Sequence, residues 1–271
     1  MTAIAPAAVR AQSPSGKELF QLSGSCAAPD ASLATLAPLS NLATLLQTTN
    51  KVRVLAIGNA LGGGANGVFG QQRYTDELEE ILESAVKDLD LVFTHRGVSG
   101  EPMVTTAERL KQEFAILEPD LVLWQVGSYD ALSHTPVAEF EAVFSGVVEW
   151  IKQQGKDIVI VGMQYTTGLS KAPHYRAIKD AVLRVASRQN VLLVRRYEAI
   201  QFMATASRER AKLTKDDFLM TELGQKCMAE HVARALVVNI FARRASDARN
   251  RQLAKSRAEP HDGHANEVPG K

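Results

Sequence analysis

The sequence predicts an α/β protein, a three-layer αβα sandwich on a central, parallel, five-stranded sheet of flavodoxin type. Two observations carry this. From Lys51 onward, short apolar runs alternate with amphipathic stretches of roughly ten to twenty residues. Such alternation demands right-handed crossovers and a sheet covered on both faces. The 271 residues, 45% hydrophobic and 23% charged, suit one large domain with tails.

In chain order, strands are expected at Val52–Ile57, Leu91–Thr94, Leu121–Val126, Asp157–Gly162 and Val191–Val194. Helices are expected near Tyr74–Lys87, Met103–Leu117, Pro136–Gln153 and Pro173–Arg188. Placing the first strand centrally gives the flavodoxin-like arrangement. Ahead of the sheet, Leu33, Leu36, Leu42, Leu45 and Leu46 describe a short helix broken at Pro38. After it come a helix around Tyr197–Ser207 and a closing helix from about Glu222 to Phe241, whose stripe includes Cys227, Met228, Leu236 and Ile240. The expected boundaries are a flexible segment over 1–31, a domain over 32–242 and a disordered polar tail over 243–271.

Composition removes several function classes. With 31 basic and 30 acidic residues the net charge is +1, so no general nucleic-acid binder is indicated. No run approaches the roughly 18 apolar residues of a membrane span. Two cysteines, Cys26 and Cys227, have no metal-ligand spacing, and no metal or cofactor is expected. Val9-Arg10-Ala11 resembles the end of a cleaved secretory signal, although a charged n-region and a full apolar h-region are missing. Export to a periplasmic or extracellular compartment is therefore expected. A true start at Met1 would make the protein cytoplasmic.

The stretch Val52–Gly67 ends the first strand in a turn rich in small residues. Gly62, Gly64 and Gly67 satisfy G-x-G-x-x-G, the dinucleotide fingerprint, but Asn59-Ala60-Leu61 intervenes after the strand. The second strand also ends in His95-Arg96, where a ribose would need an acidic residue. A flexible glycine loop is the competing reading.

Four stretches in order resemble the blocks of the SGNH (GDSL-like) hydrolases: AIGNALGGGA, HRGVSGE, PDLVLWQVGSYDAL and LTKDDFLMTELGQKCMAEHVARAL. The likeness spans about Lys51 to Leu236. It implies an ester hydrolase or acyl-transfer site, in which a serine attacks, a histidine takes its proton and an aspartate orients that histidine. By this resemblance the serine position is Ala60, the histidine position is Leu219 and the oxyanion asparagine is Tyr129. Gly97 and Asp216 retain the family residue. A nucleophile and its base act as a unit, so losing either typically costs on the order of a million-fold in turnover. A conventional mechanism is excluded, and no catalytic residue is expected to be competent.

Three readings follow. The first is an inactive relative that keeps a cleft for an acylated saccharide or other ester, or that serves as the protein partner of an active relative. Asn59, Arg96, Gln125, Gln164 and Tyr165 then stand as ligand-binding candidates, with Arg195 and Arg196 on the same rim. The second is an active hydrolase with a relocated nucleophile, Ser99 or Ser128, and a base drawn from His95, His134 or His174. The third is an interaction module whose pocket Tyr129 and Leu219 have filled. If the chain reaches an oxidising compartment, Cys26 and Cys227 are expected to form a disulfide, as the resemblance to a bacterial branch also implies.

Overall fold

The computed structural model describes residues 20–59, 69–86, 88–206, 213 and 220–258. Five strands, β1 (Lys51–Asn59), β2 (Asp90–Val98), β3 (Leu121–Gln125), β4 (Asp157–Val161) and β5 (Leu192–Val194), form one sheet in the order β2-β1-β3-β4-β5. Every pairing is parallel. This is the flavodoxin-like order. β3 occupies the middle, and β1 lies one strand from the β2 edge.

Side chains alternate across the strands, which builds two cores. Leu55, Ile57, Val122, Trp124, Ile158 and Ile160 pack on one face, against helices α4 (Met103–Leu117), α6 (Val137–Gln153) and α7 (Pro173–Arg188). Val52, Val54, Leu121, Leu123, Val159 and Val161 face the other way, toward α2 (Ser40–Leu45), α3 (Phe69–Ala85) and α9 (Glu222–Ala258). Two short helices, α1 (Asp30–Leu33) and α5 (Ser128–Leu132), and α8 (Arg196–Ala206) complete the helices named here. The expected break at Pro38 falls between α1 and α2.

Remote carboxylates start two of these helices. Asp157 accepts from the Leu42 amide at 2.8 Å, and Asp130 accepts from the Met103 amide at 2.9 Å. Each satisfies a first-turn N–H that its own flanking residue leaves open. At the β5 edge, Thr35 supplies a substitute ladder: its amide donates to the Leu193 carbonyl and its Oγ1 accepts from the Leu193 amide, both at 2.9 Å. That contact blunts an otherwise open edge.

Three boundaries differ from expectation. β2 runs to Val98 because, as an edge strand paired along its whole length with β1, it can hold half-exposed polar residues that break an apolar run. Residues 20–31 are not a flexible lead. Cys26 is fully buried and bonded to Cys227, the Ser23 amide donates to Glu230 at 2.8 Å, and Arg234 donates to the Phe20 carbonyl. The polar tail expected from 243 is helical through Ala258. Arg, Ala, Lys and Gln favour helix, and residues 243–258 contain neither glycine nor proline. No helix among the described residues is long and apolar enough to cross a membrane.

The Cys26–Cys227 bridge closes a loop of 201 residues, so a Cys26→Ala/Cys227→Ala variant should lose about 2–5 kcal/mol in urea unfolding. Next to the bridge, His231 donates from Nε2 to the Cys26 carbonyl at 2.7 Å. Burial holds its pKa below the ordinary value, against the opposing effect of that hydrogen bond. The unfolded chain therefore takes the proton first as pH falls. Stability should drop below about pH 6.5, at up to about 1.4 kcal/mol per pH unit, and His231→Gln should remove that component.

Candidate active site

Parallel pairing places the C-terminal ends of all five strands on one edge, where a ligand would meet the sheet. The edge is tight at its centre. Gly58 has φ +133°, and a Cβ there would lie 2.2 Å from the Gln125 carbonyl oxygen. Gly127, at φ +89°, turns the chain from β3 into α5, with a hypothetical Cβ 2.9 Å from Met163. At Gly58 the ends of β1 and β3 approach as backbone to backbone, and at Gly127 the left-handed φ favours glycine.

Tyr129 follows in the first turn of α5 and is half-buried. Its ring edge lies 3.6 Å from where a Cβ would stand on Gly100, whose φ is +72°. Gly97, the glycine that the second block suggested, instead sits inside the β1–β2 ladder opposite Gly58. Gly100 is thus the second-block residue that the structure brings to Tyr129. The signal available in the sequence was its place in the Ser99-Gly100-Glu101 turn.

The other candidates divide between partners. Ser128 is 2% exposed and its Oγ accepts from the Gln164 amide at 3.3 Å, so it faces inward. Gln164 is a hub: its Oε1 accepts from Arg196 Nη2 at 2.6 Å, and its carbonyl accepts from the Tyr175 hydroxyl at 2.6 Å. Tyr165 packs edge-on to Tyr197, with ring centroids 5.2 Å apart. Gln125 is buried at the end of β3. Arg96 is bound to Glu113 at 2.9 Å and does not stand free for an anion. Arg195 turns away to the Ala31 carbonyl at 2.6 Å. Asn59 ends β1; Ala60, Asp216 and Leu219 lie outside the described residues. The Gly62–Gly67 motif also lies outside them.

The histidines also separate. His95 Nδ1 lies 3.1 Å from the buried Thr75 hydroxyl and Nε2 lies 3.8 Å from Asp76, a tie between α3 and β2 that the sequence did not suggest. Burial lowers its pKa, Asp76 opposes this and Arg96 adds to it. His134 and His174 pack together with ring centroids 4.9 Å apart. Burial pushes the Asp130 carboxyl up, against the hydrogen bond from Met103. No group of three or more metal-ligating side chains occurs among the described residues.

The sheet order, with the second and third blocks at its C-terminal edge, is that of an SGNH/GDSL-like hydrolase fold. The chain belongs to the Non-GDSL lipase-like family, whose model matches residues 25–241. Among solved structures it is similar to a lipase/acylhydrolase from Enterococcus faecalis, with TM-score 0.58 and 15% identity over 69% of this chain and 95% of that one. It is also similar to Axe2, an acetylxylan esterase from Geobacillus stearothermophilus, with TM-score 0.56 and 19% identity over 70% and 94%. The psychrotrophic esterase EstA from Pseudoalteromonas sp. aligns with TM-score 0.55 and 15% identity over 68% and 96%. No curated protein matches the chain.

Gly58→Ala should lower stability by about 3 kcal/mol or more, because the methyl meets rigid backbone. Gly155→Ala has φ +69° but open space around it, and should cost only about 1 kcal/mol. Urea unfolding of the two variants side by side checks the difference.

Proposed function

We propose that this is a catalytically inactive SGNH-hydrolase-like protein, keeping a cleft for an acylated saccharide or other ester, or acting as partner to an active relative. One observation carries the reading: Ala60, Leu219 and Tyr129 stand at the positions of the nucleophile, the base and the oxyanion amide. Alanine has no oxygen to attack with, and leucine cannot take a proton. A residual rate enhancement of about a thousand-fold over water would need the oxyanion hole alone, and here the asparagine amide is replaced by a phenol.

The described geometry supports this reading. The Tyr129 ring lies against Gly100, and Ser128 is held by the Gln164 amide, which argues against its use as a relocated nucleophile. The ester class of ligand follows from the family and from the acyl and acetylxylan chemistry named for the similar structures. Export is part of the proposal and is supported by the Cys26–Cys227 bridge.

Purified protein should hydrolyse p-nitrophenyl acetate no faster than buffer and should resist a fluorophosphonate probe. Turnover that Asp216→Ala abolishes, or labelling at Ser99 or Ser128, would overturn inactivity and revive the relocated-nucleophile reading.

A further inference from the structure

β2 forms one edge of the sheet, and its pairing with β1 is unbroken from Asp90 to Val98. The Asp90 amide donates to the Asn50 carbonyl, on the β1 side. Backbone groups alternate along a strand, so those of Leu91, Phe93, His95 and Gly97 turn outward, away from β1. Side chains take two of them: Glu83 accepts from the Leu91 amide at 3.2 Å, and Arg96 donates to the His95 carbonyl at 3.0 Å. Among the described residues, no backbone group pairs with the outward side of Phe93, His95 or Gly97. Thr35 blunts the β5 edge, whereas β2 has no proline, lysine or bulge that would blunt its own.

The two faces beside this edge differ in chemistry. On the α3 side, residues 76–83 carry Asp76, Glu77, Glu79, Glu80 and Glu83 without a lysine or arginine. Asp76, Glu79 and Glu83, spaced by three and four, share the flank that meets β2, where Asp76 lies 3.8 Å from His95 and Glu83 bonds Leu91. Burial raises the pKa of the Glu79 carboxyl, and the charges of Glu83, Asp76, Asp90 and Glu80 raise it further. Leu91 and Phe93 pack toward α3 and α9, so Val92, Arg96 and Val98 point to the α4 side. There the exposed side chains include apolar ones: Val92 is 40% exposed, Val98 43% and Ile116 75%. Glu113 bonds Arg96, and Ile116 follows it by three positions, so the isoleucine stands on the flank of α4 toward β2.

We propose that the outer edge of β2 docks an extended segment of a partner protein as a sixth strand, one whose side chains alternate between basic and apolar. Its backbone pairs with the outward groups of Phe93, His95 and Gly97. Its basic side chains meet the flank of Asp76, Glu79 and Glu83, and its apolar ones cover Val92, Val98 and Ile116. A second copy fits this edge less well, because antiparallel pairing of two β2 strands sets one acidic α3 flank beside the other. The proposal does not depend on the ester reading of the cleft.

The test uses the full chain and a fluorescein-labelled peptide of the length of β2, alternating lysine and valine, with binding read by anisotropy at low salt. It should bind at least about ten-fold more tightly than the corresponding glutamate–valine peptide, and than the lysine–valine peptide N-methylated at every amide, which keeps its charge but cannot extend a sheet. Glu79→Gln/Glu83→Gln should weaken binding about ten-fold, as should high salt, and hydrogen exchange over 91–98 should slow in the complex. No binding, equal binding of the N-methylated peptide, an unchanged affinity in the double variant, or protection only outside β2 would each overturn the proposal. So would a dimer in light scattering that Val92→Arg dissociates, because a second copy would then occupy the edge.

Discussion

A parallel sheet buried on both faces has one place left for chemistry, the edge where its strands end. Helices α3 and α9 seal one face of this sheet, and α4, α6 and α7 seal the other. Polar side chains therefore gather just past Val98, Gln125, Val161 and Val194, and the edge inherits its shape from the packing beneath. The closing helix α9 matters twice. It covers the sheet, and its start is pinned to Leu213, whose carbonyl accepts from the Thr221 amide at 3.0 Å and would lie 2.2 Å from any Cβ on Gly224. The disulfide and the Ser23–Glu230 hydrogen bond then tie the N-terminal lead to the same helix.

The fold was legible where local and tertiary demands agree. Met103–Leu117 and Pro173–Arg188 match their expected limits because each has an amphipathic period and a terminus signalled locally, by Pro102 in one case and Pro173 at the first turn in the other. Agreement failed at edges and ends. β2 hides half its length because an edge strand needs no unbroken apolar run. Residues 20–31 looked structureless because their order comes from a bond 201 residues away, which no local pattern encodes. The extension of α9 past Arg243 rests on intrinsic helix propensity without an apolar stripe, so a reading based on periodicity passes over it.

The site was legible in part, for a related reason. Tyr129 lies at the sheet edge, in the turn after β3, as a strand followed by a glycine turn signals locally. Which glycine faces Tyr129 is a matter of how far β2 extends before it turns. The ladder absorbs Gly97 and leaves Gly100 at the tip. Arg196 was assigned to the rim by its position after β5, and its burial reverses that reading. A charged residue next to a strand end reads as exposed unless the neighbours above it are known.

An oxyanion hole works only if its donors are aimed at a place where charge develops and are not already spent on the protein. The described edge runs the other way. Ser128 Oγ takes the Gln164 amide, the Gln164 carbonyl takes the Tyr175 hydroxyl, and the Gln164 amide oxygen takes Arg196. These groups hold β3, β4 and β5 together at their ends. A hydroxyl that orients a loop in this way has one lone pair committed to that contact, and using it for attack would weaken the contact. The same interlocking that keeps the edge ordered therefore works against recruiting Ser128 as a nucleophile, which agrees with the inactivity proposed above.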